Sequence, residues 1–240
     1  MAGVRVLMSR YSPAMPRGQS ILSAVAMLLL AASVQAGTPG EISQETLRSA
    51  PRGTGVLQAW WLPPEYWVAA AEKQGWPEDK LADLRDRIAH YFVLGVIDAT
   101  LDGSQLGFTD HPDVVKRISV ERNGEAVEPL RIFDPSLAQT VPQLSYFLRL
   151  SLGPLQQGLK LLFFPNLNAE GEAILVGSGE GELRVRYRPG GDAEPTDFLW
   201  RSPLTSIVGP TSCPEGGEPL EASWKFCPWH GVKLKPAPAD

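Results

Sequence analysis

The segment VKRISVERNGEAVEPLRIF, residues 115–133, predicts a β-hairpin and is the clearest indication of the fold class. Two runs with apolar residues flank Asn123-Gly124, a pair that accepts the positive φ angles of a two-residue hairpin turn. Further short strand candidates follow at close spacing: LKLLFF (159–164), GEAILVG (171–177), ELRVRYR (182–188) and TDFLWRSPL (196–204). Such a succession of short strands separated by turn residues is typical of a sandwich or barrel.

Upstream of the hairpin, strands and helices are interleaved. VLQAWWL (56–62) and YFVLGVIDATL (91–101) have the apolar character of strands. Residues 63–92 instead have prolines where helices are expected to begin, and apolar residues at helical spacing. VPQLSYFLRLSLG (141–153) fits either a helix or a buried strand. We therefore predict a mainly β fold, a β-sandwich of the immunoglobulin-like or another type, with a two-helix insertion at 64–91. The alternative is an α+β fold.

The N-terminus has the layout of a secretory signal peptide. Arg17 precedes an apolar run from Ile21 to Val34, and small residues lead to a plausible cleavage point after Ala36. This layout resembles that of exported bacterial proteins and predicts a periplasmic or secreted chain that meets the membrane only through its signal segment. The predicted divisions are the signal peptide (1–36), a flexible lead-in (37–54), a β-rich domain (55–208) and a small tail (211–235).

The charge balance disfavours nucleic acid as a partner. Residues 1–36 hold three of the 22 basic residues and none of the 27 acidic ones, so their removal shifts the formal charge from −5 to about −8. No basic run or basic–aromatic stripe remains, and nucleic-acid binding normally needs one.

The sequence contains no recognisable catalytic or cofactor-binding phrase. The glycine-rich stretch VGSGEGE (176–182) lacks the Lys-Ser/Thr and the following helix of a phosphate-binding loop. The seven tryptophans are the remaining unusual feature, and four of them precede residue 77. Tryptophan usually packs in cores but is enriched at binding surfaces. A carbohydrate-active or hydrolytic enzyme that uses this face with acids such as Glu65 or Asp98 is therefore one hypothesis.

The two cysteines of the chain lie in matching phrases near its end, CPEGG (213–217) and KFCPWHGVKL (225–234). Together they resemble the two knuckles of a zinc ribbon, in which paired Cys-Pro-x-Cys-Gly turns enclose one tetrahedral zinc ion. The resemblance covers 211–235 and implies Cys213, Cys227 and His230 as metal ligands. The fourth ligand position falls on Gly216, which has no side chain to offer.

The resemblance leaves the chemistry of the tail open. Glu215, Glu218 or a water molecule are candidates for the fourth ligand. In an oxidising compartment two neighbouring cysteines tend to pair, and the ribbon resemblance implies that the two leading cysteines lie close together, so we predict a Cys213–Cys227 disulfide, with zinc binding as the alternative. Free thiols are the third possibility.

Three functional hypotheses follow. The first is an exported, non-enzymatic binding or envelope-assembly protein with another envelope or secreted protein as its partner and no cofactor. The second is a zinc-stabilised or zinc-handling protein that uses the tail. The third is the carbohydrate-active or hydrolytic enzyme described above.

Overall fold

In the part of the chain that the structure describes, the strands form three antiparallel sheets. The computed structural model describes residues 37–131, 134–190 and 194–235 of the 240-residue chain. The strands in chain order are β1 (Leu47–Arg52), β2 (Gly55–Leu62), β3 (Tyr91–Asp102), β4 (Gln105–Phe108), β5 (Ile118–Arg122), β6 (Glu125–Val127), β7 (Lys160–Pro165), β8 (Gly181–Tyr187), β9 (Thr196–Ser202), β10 (Thr211–Ser212) and β11 (Pro219–Leu220).

Helices are short and lie between the strands. They are α1 (Pro39–Thr46), α2 (Pro64–Lys73), α3 (Glu78–Ile88), α4 (His111–Arg117), α5 (Pro135–Leu144), α6 (Tyr146–Ser151) and α7 (Thr205–Val208), with a 3₁₀ helix at Gly153–Gly158. No helix in the described ranges has the length and apolar character needed to cross a membrane. The described residues form a β-rich α+β fold.

The largest sheet is built around β3. This strand pairs with β2 on one side, and on the other with β7 over its first half and β4 over its second half, while β1 extends the sheet beyond β2. Residues 92–99 of β3 are buried without interruption. A run of this kind indicates that both faces of the strand are covered.

The second sheet has the order β6-β5-β8-β9. Its β5–β6 hairpin turns at Asn123 (φ +50°) and Gly124 (φ +83°), so the hairpin predicted from this dipeptide is confirmed. Burial alternates along β8, where Val185 is buried and Arg186 is exposed. This sheet therefore has one face in the core and one in solvent.

Trp60 and Trp61 are adjacent in β2, and both are in the core. Their side chains are 2% and 0% exposed. Because side chains alternate along a strand, the two tryptophans lie on opposite faces of β2. Trp60 lines the same cavity as Tyr66 of α2 and Leu148 of α6, so helices cover its side of the sheet. Both faces of β2 are therefore covered at this point of the strand.

The flexible lead-in predicted at 37–54 is instead a helix followed by an edge strand. Thr38 and Glu41 form a capping box, in which each side chain accepts a hydrogen bond from the backbone N–H of the other residue. Pro39 fits the first helical turn, and Ile42 is buried against the core. The Thr-x-x-Glu spacing was the sequence signal for this helix.

Two further segments differ from, or decide between, the sequence expectations. The ambiguous residues 141–153 belong to α5, α6 and the 3₁₀ helix. The strand expected at 171–177 is absent from the described residues there, apart from one isolated bridge between Leu167 and Ala173. The helices α2 and α3 lie within the range given for a two-helix insertion.

The tail has a small core of its own. The strands β10 and β11 pair with each other, and Phe226 forms a bridge with Lys233. Four buried residues make up this core: Cys213, Leu220, Cys227 and Leu234. A core of this size contributes little hydrophobic stabilisation, so the tail depends on additional links.

Candidate metal centre

The two cysteine phrases fold into turns of the same type. In the first, the N–H of Gly217 donates to the carbonyl of Cys213 at 2.9 Å; in the second, the N–H of Gly231 donates to the carbonyl of Cys227 at 2.8 Å. Both glycines have positive φ angles, +75° and +66°, which a residue with a side chain adopts only with strain. The repeated glycine therefore gives both turns the same backbone path.

Each turn is closed by a second backbone hydrogen bond. The N–H of Cys213 donates to the carbonyl of Glu218 at 3.0 Å, and the N–H of Cys227 donates to the carbonyl of Val232 at 2.9 Å. These bonds fix the start of each turn to its end. As a result both cysteine side chains point into the small core, where they are 3% and 1% exposed.

The turns bring three ligand-type side chains together. Nδ1 of His230 lies 3.3 Å from Sγ of Cys213 and 3.5 Å from Sγ of Cys227, and the three ligand atoms all lie within 4.8 Å of one another. The backbone N–H of Gly216 also points to Sγ of Cys213 at 3.5 Å. Such an N–H favours the thiolate, which is the metal-binding form of cysteine. The group could bind a metal ion.

The histidine is electrostatically coupled to the same group. Its hydrogen bond with Cys213 raises the pKa of His230, and the charges of Cys213, Glu218 and Glu215 act in the same direction, whereas partial desolvation lowers it. The imidazole therefore lies in a negative environment. A metal cation would be favoured by the same environment.

Both cysteines are free thiols in this structure. The Cys213–Cys227 disulfide stays a prediction for the oxidised chain. The same two sulfur atoms cannot form a disulfide and bind a metal as thiolates, so the two states exclude each other.

The acids considered for catalysis serve structural contacts. Asp98 is buried and forms ion pairs with Arg52 and Arg117, and it accepts hydrogen bonds from the hydroxyls of Tyr187 and Thr109. This cluster joins β1, β3 and β8, and sequence reasoning missed it because its members are distant along the chain.

Glu65 holds a loop in place. Its carboxylate accepts hydrogen bonds from the backbone N–H groups of Gly177 and Ser178, at 3.0 and 2.9 Å, and from the Ser178 hydroxyl. Three of the four N-terminal tryptophans, Trp60, Trp61 and Trp67, are at most 2% exposed. Those three side chains belong to the core and do not form a surface groove.

A groove of about 1080 Å³ lies between the tail and the main domain. The residues that line it are Glu45, Arg48, Leu199, Arg201, Leu204, Thr205, Pro210, Pro219, Leu220, Glu221, Ser223, Trp224, Lys225 and Phe226. Charges of both signs and two aromatic side chains are present along it. One wall consists of tail residues between the two metal-ligand turns.

Comparisons with known protein families, with curated proteins and with solved structures found no match for this chain.

Proposed function

We propose that the chain is an exported, non-enzymatic binding protein whose tail, residues 211–235, is held together by one zinc ion. The observation that carries the proposal is the convergence of Cys213, Cys227 and His230 on one point. Thiolate and imidazole are the ligand types that structural zinc sites use, whereas hard cations such as Ca²⁺ and Mg²⁺ prefer oxygen ligands.

The zinc ion supplies the link that the small core of the tail lacks. It joins the turn at 213–217 to the turn at 227–231, which otherwise share only a few buried side chains. In domains of this size, metal binding is coupled to folding, and the binding free energy becomes stability of the fold.

The binding surface proposed for the partner is the groove between tail and main domain. Trp224 and Phe226 on the tail wall face a main-domain wall that includes Arg48 and Arg201. Aromatic and arginine side chains are the residue types that most often carry binding energy at protein interfaces. The zinc ion thus has a functional consequence, because it holds the wall that carries the two aromatic residues.

The main domain is the scaffold for this groove, and we propose that its two larger sheets pack as a β-sandwich. Asp98 of β3 and Tyr187 of β8 form a hydrogen bond between the sheets, and one continuous cluster of buried residues draws on both. Helices then cover the outer face of the larger sheet. An experimentally determined structure, with the angle between the sheets measured, tests this description.

Export is supported by the signal-peptide layout of residues 1–36. Cleavage after Ala36 would leave the whole described fold in the mature chain, since Gly37 packs against the backbone of Ser206 and Thr38 caps α1. N-terminal sequencing of the protein recovered from its native compartment tests this part. A mature chain that starts at Gly37 is expected, and an intact Met1 in a cytoplasmic fraction would contradict it.

The zinc proposal is tested by elemental analysis of the purified chain. One zinc ion per wild-type chain is expected, with loss of the metal in Cys213→Ser, Cys227→Ser and His230→Gln. His111→Gln is the matched control, because His111 lies outside the cluster. A wild-type chain that contains no zinc after growth and purification with added zinc would overturn the proposal.

A further inference from the structure

We propose that Glu218 provides the fourth ligand, so that the metal centre is a two-cysteine, one-histidine, one-glutamate site. This inference rests on the proposed zinc site and identifies the ligand that the sequence leaves open between Glu215, Glu218 and water. In this assignment Glu218, which lies in the same turn, compensates for the missing ligand side chain at Gly216.

The carboxylate of Glu218 lies beside position 216, where the zinc-ribbon pattern has its missing ligand. In the zinc-ribbon pattern the second ligand of the first knuckle falls on Gly216. If a Cβ atom is added to Gly216, its three nearest neighbours are Oε1, Oε2 and Cδ of Glu218, all too close to be tolerated without displacement. A carboxylate that enters from position 218 therefore fills the place where a side chain at position 216 would begin.

One oxygen of this carboxylate lacks a hydrogen-bond partner among the described residues. Oε2 of Glu218 is buried and accepts no hydrogen bond from the described residues. A buried polar atom without a partner destabilises the fold, and a charged one does so more strongly. A metal ion beside Cys213 would satisfy this atom, which is the electrostatic reason to place a cation here.

The backbone holds Glu218 at the site. The carbonyl of Glu218 accepts the hydrogen bond from the N–H of Cys213 at 3.0 Å, so the two residues face each other across the first turn. Glu215 differs, because its side chain is exposed. The charge balance also fits, since two thiolates and one carboxylate around a divalent cation leave a net charge of only −1 beside a neutral imidazole.

The test uses Co²⁺ and Zn²⁺ titrations of the reduced mature chain in three forms: wild type, Glu218→Gln and Glu215→Gln. Cobalt reports sulfur ligation through its charge-transfer band and coordination geometry through its ligand-field bands. We expect the charge-transfer band in all three forms. In Glu218→Gln we expect weaker ligand-field absorption and at least about a tenfold loss of affinity, while Glu215→Gln binds like the wild type.

A rescue variant distinguishes the loss of a metal ligand from a simple folding defect. Glu218→Ala should bind metal weakly, and adding Gly216→Cys to it should restore wild-type affinity or exceed it, because the second change supplies a thiolate at the ribbon's usual ligand position. The three nearest atoms to a Cβ at position 216 all belong to the Glu218 carboxyl group, which Glu218→Ala removes.

The outcomes separate the two proposals. A wild-type chain that binds neither Co²⁺ nor Zn²⁺ overturns the zinc site, and the Glu218 assignment with it. A wild-type chain that binds metal while Glu218→Gln binds equally tightly, with unchanged cobalt spectra, overturns only the assignment of Glu218. Equal losses in Glu218→Gln and Glu215→Gln also overturn it, because they indicate a general effect of negative charge.

Discussion

Nδ1 of His230 lies 3.3 Å from Sγ of Cys213, although 17 positions separate the two residues in the chain. This short distance links the first turn of the tail to the second. The two turns have the same backbone hydrogen bonds, and each ends in a glycine with a positive φ angle. The link therefore determines whether the two turns behave as one folded unit, and the following prediction tests this.

Removal of the metal should open the tail but leave the main domain folded. With zinc at about 100 times its Kd, binding stabilises the tail by about 2.7 kcal/mol, which reduces the open population about 100-fold. Trypsin cleavage after Lys225 and Lys233 reports this opening, because proteolysis follows the open population when closing is fast. Chelation is expected to accelerate cleavage at these two sites while the far-UV circular dichroism changes little. Equal cleavage rates with and without chelator would contradict the prediction.

Substitution of Asp98 should destabilise the main domain. Its buried carboxylate pairs with Arg52 and Arg117, and burial also lowers the pKa of Arg52. Asp98→Asn leaves both arginines without their carboxylate, a change that typically costs about 3–5 kcal/mol.

Urea unfolding measures this cost. Asp102→Asn is the matched control, since Asp102 is exposed at the tip of the β3–β4 hairpin and should change stability by less than about 0.5 kcal/mol. If the two variants had the same urea midpoint, Asp98 would not stabilise the core in the way described.

Substitution of Asn166 should destabilise the protein as much as truncation of a large core residue. Its side chain is buried, donates to the carbonyls of Ala89 and Leu175, and accepts from the N–H of Leu175. Asn166→Ala leaves these groups unpaired, at roughly 1–3 kcal/mol for each buried group that finds no water. We expect the free energy of unfolding to fall by about 3 kcal/mol. A loss below about 0.5 kcal/mol, the size of an ordinary surface substitution, would contradict the role of Asn166.

Local signals in the sequence predicted local structure well. Asn123-Gly124 specifies its own turn, so the hairpin was predictable without knowledge of its neighbours. Thr38 and Glu41 carried an equally local capping signal, but it was read as part of a flexible lead-in because few apolar residues surround it. Ile42 makes this helix part of the fold through a tertiary contact.

Features that depend on distant parts of the chain were not predictable. Whether Trp60 and Trp61 are both buried depends on what covers each face of the sheet. The partners of Asp98 come from three separate segments. In the tail, the resemblance to a zinc ribbon pointed to Cys213, Cys227 and His230. The direction of the Glu218 side chain is set by the path of the turn, which a single sequence does not reveal.

Native mass spectrometry of the mature chain, isolated from its own compartment without reductant, tests the central claim most directly. The account predicts one zinc ion per chain with both thiols reduced, and loss of that zinc in Cys227→Ser. A metal-free chain with a mass lower by two hydrogens, which reverts to the full mass on reduction, would show a Cys213–Cys227 disulfide and contradict the zinc-stabilised tail.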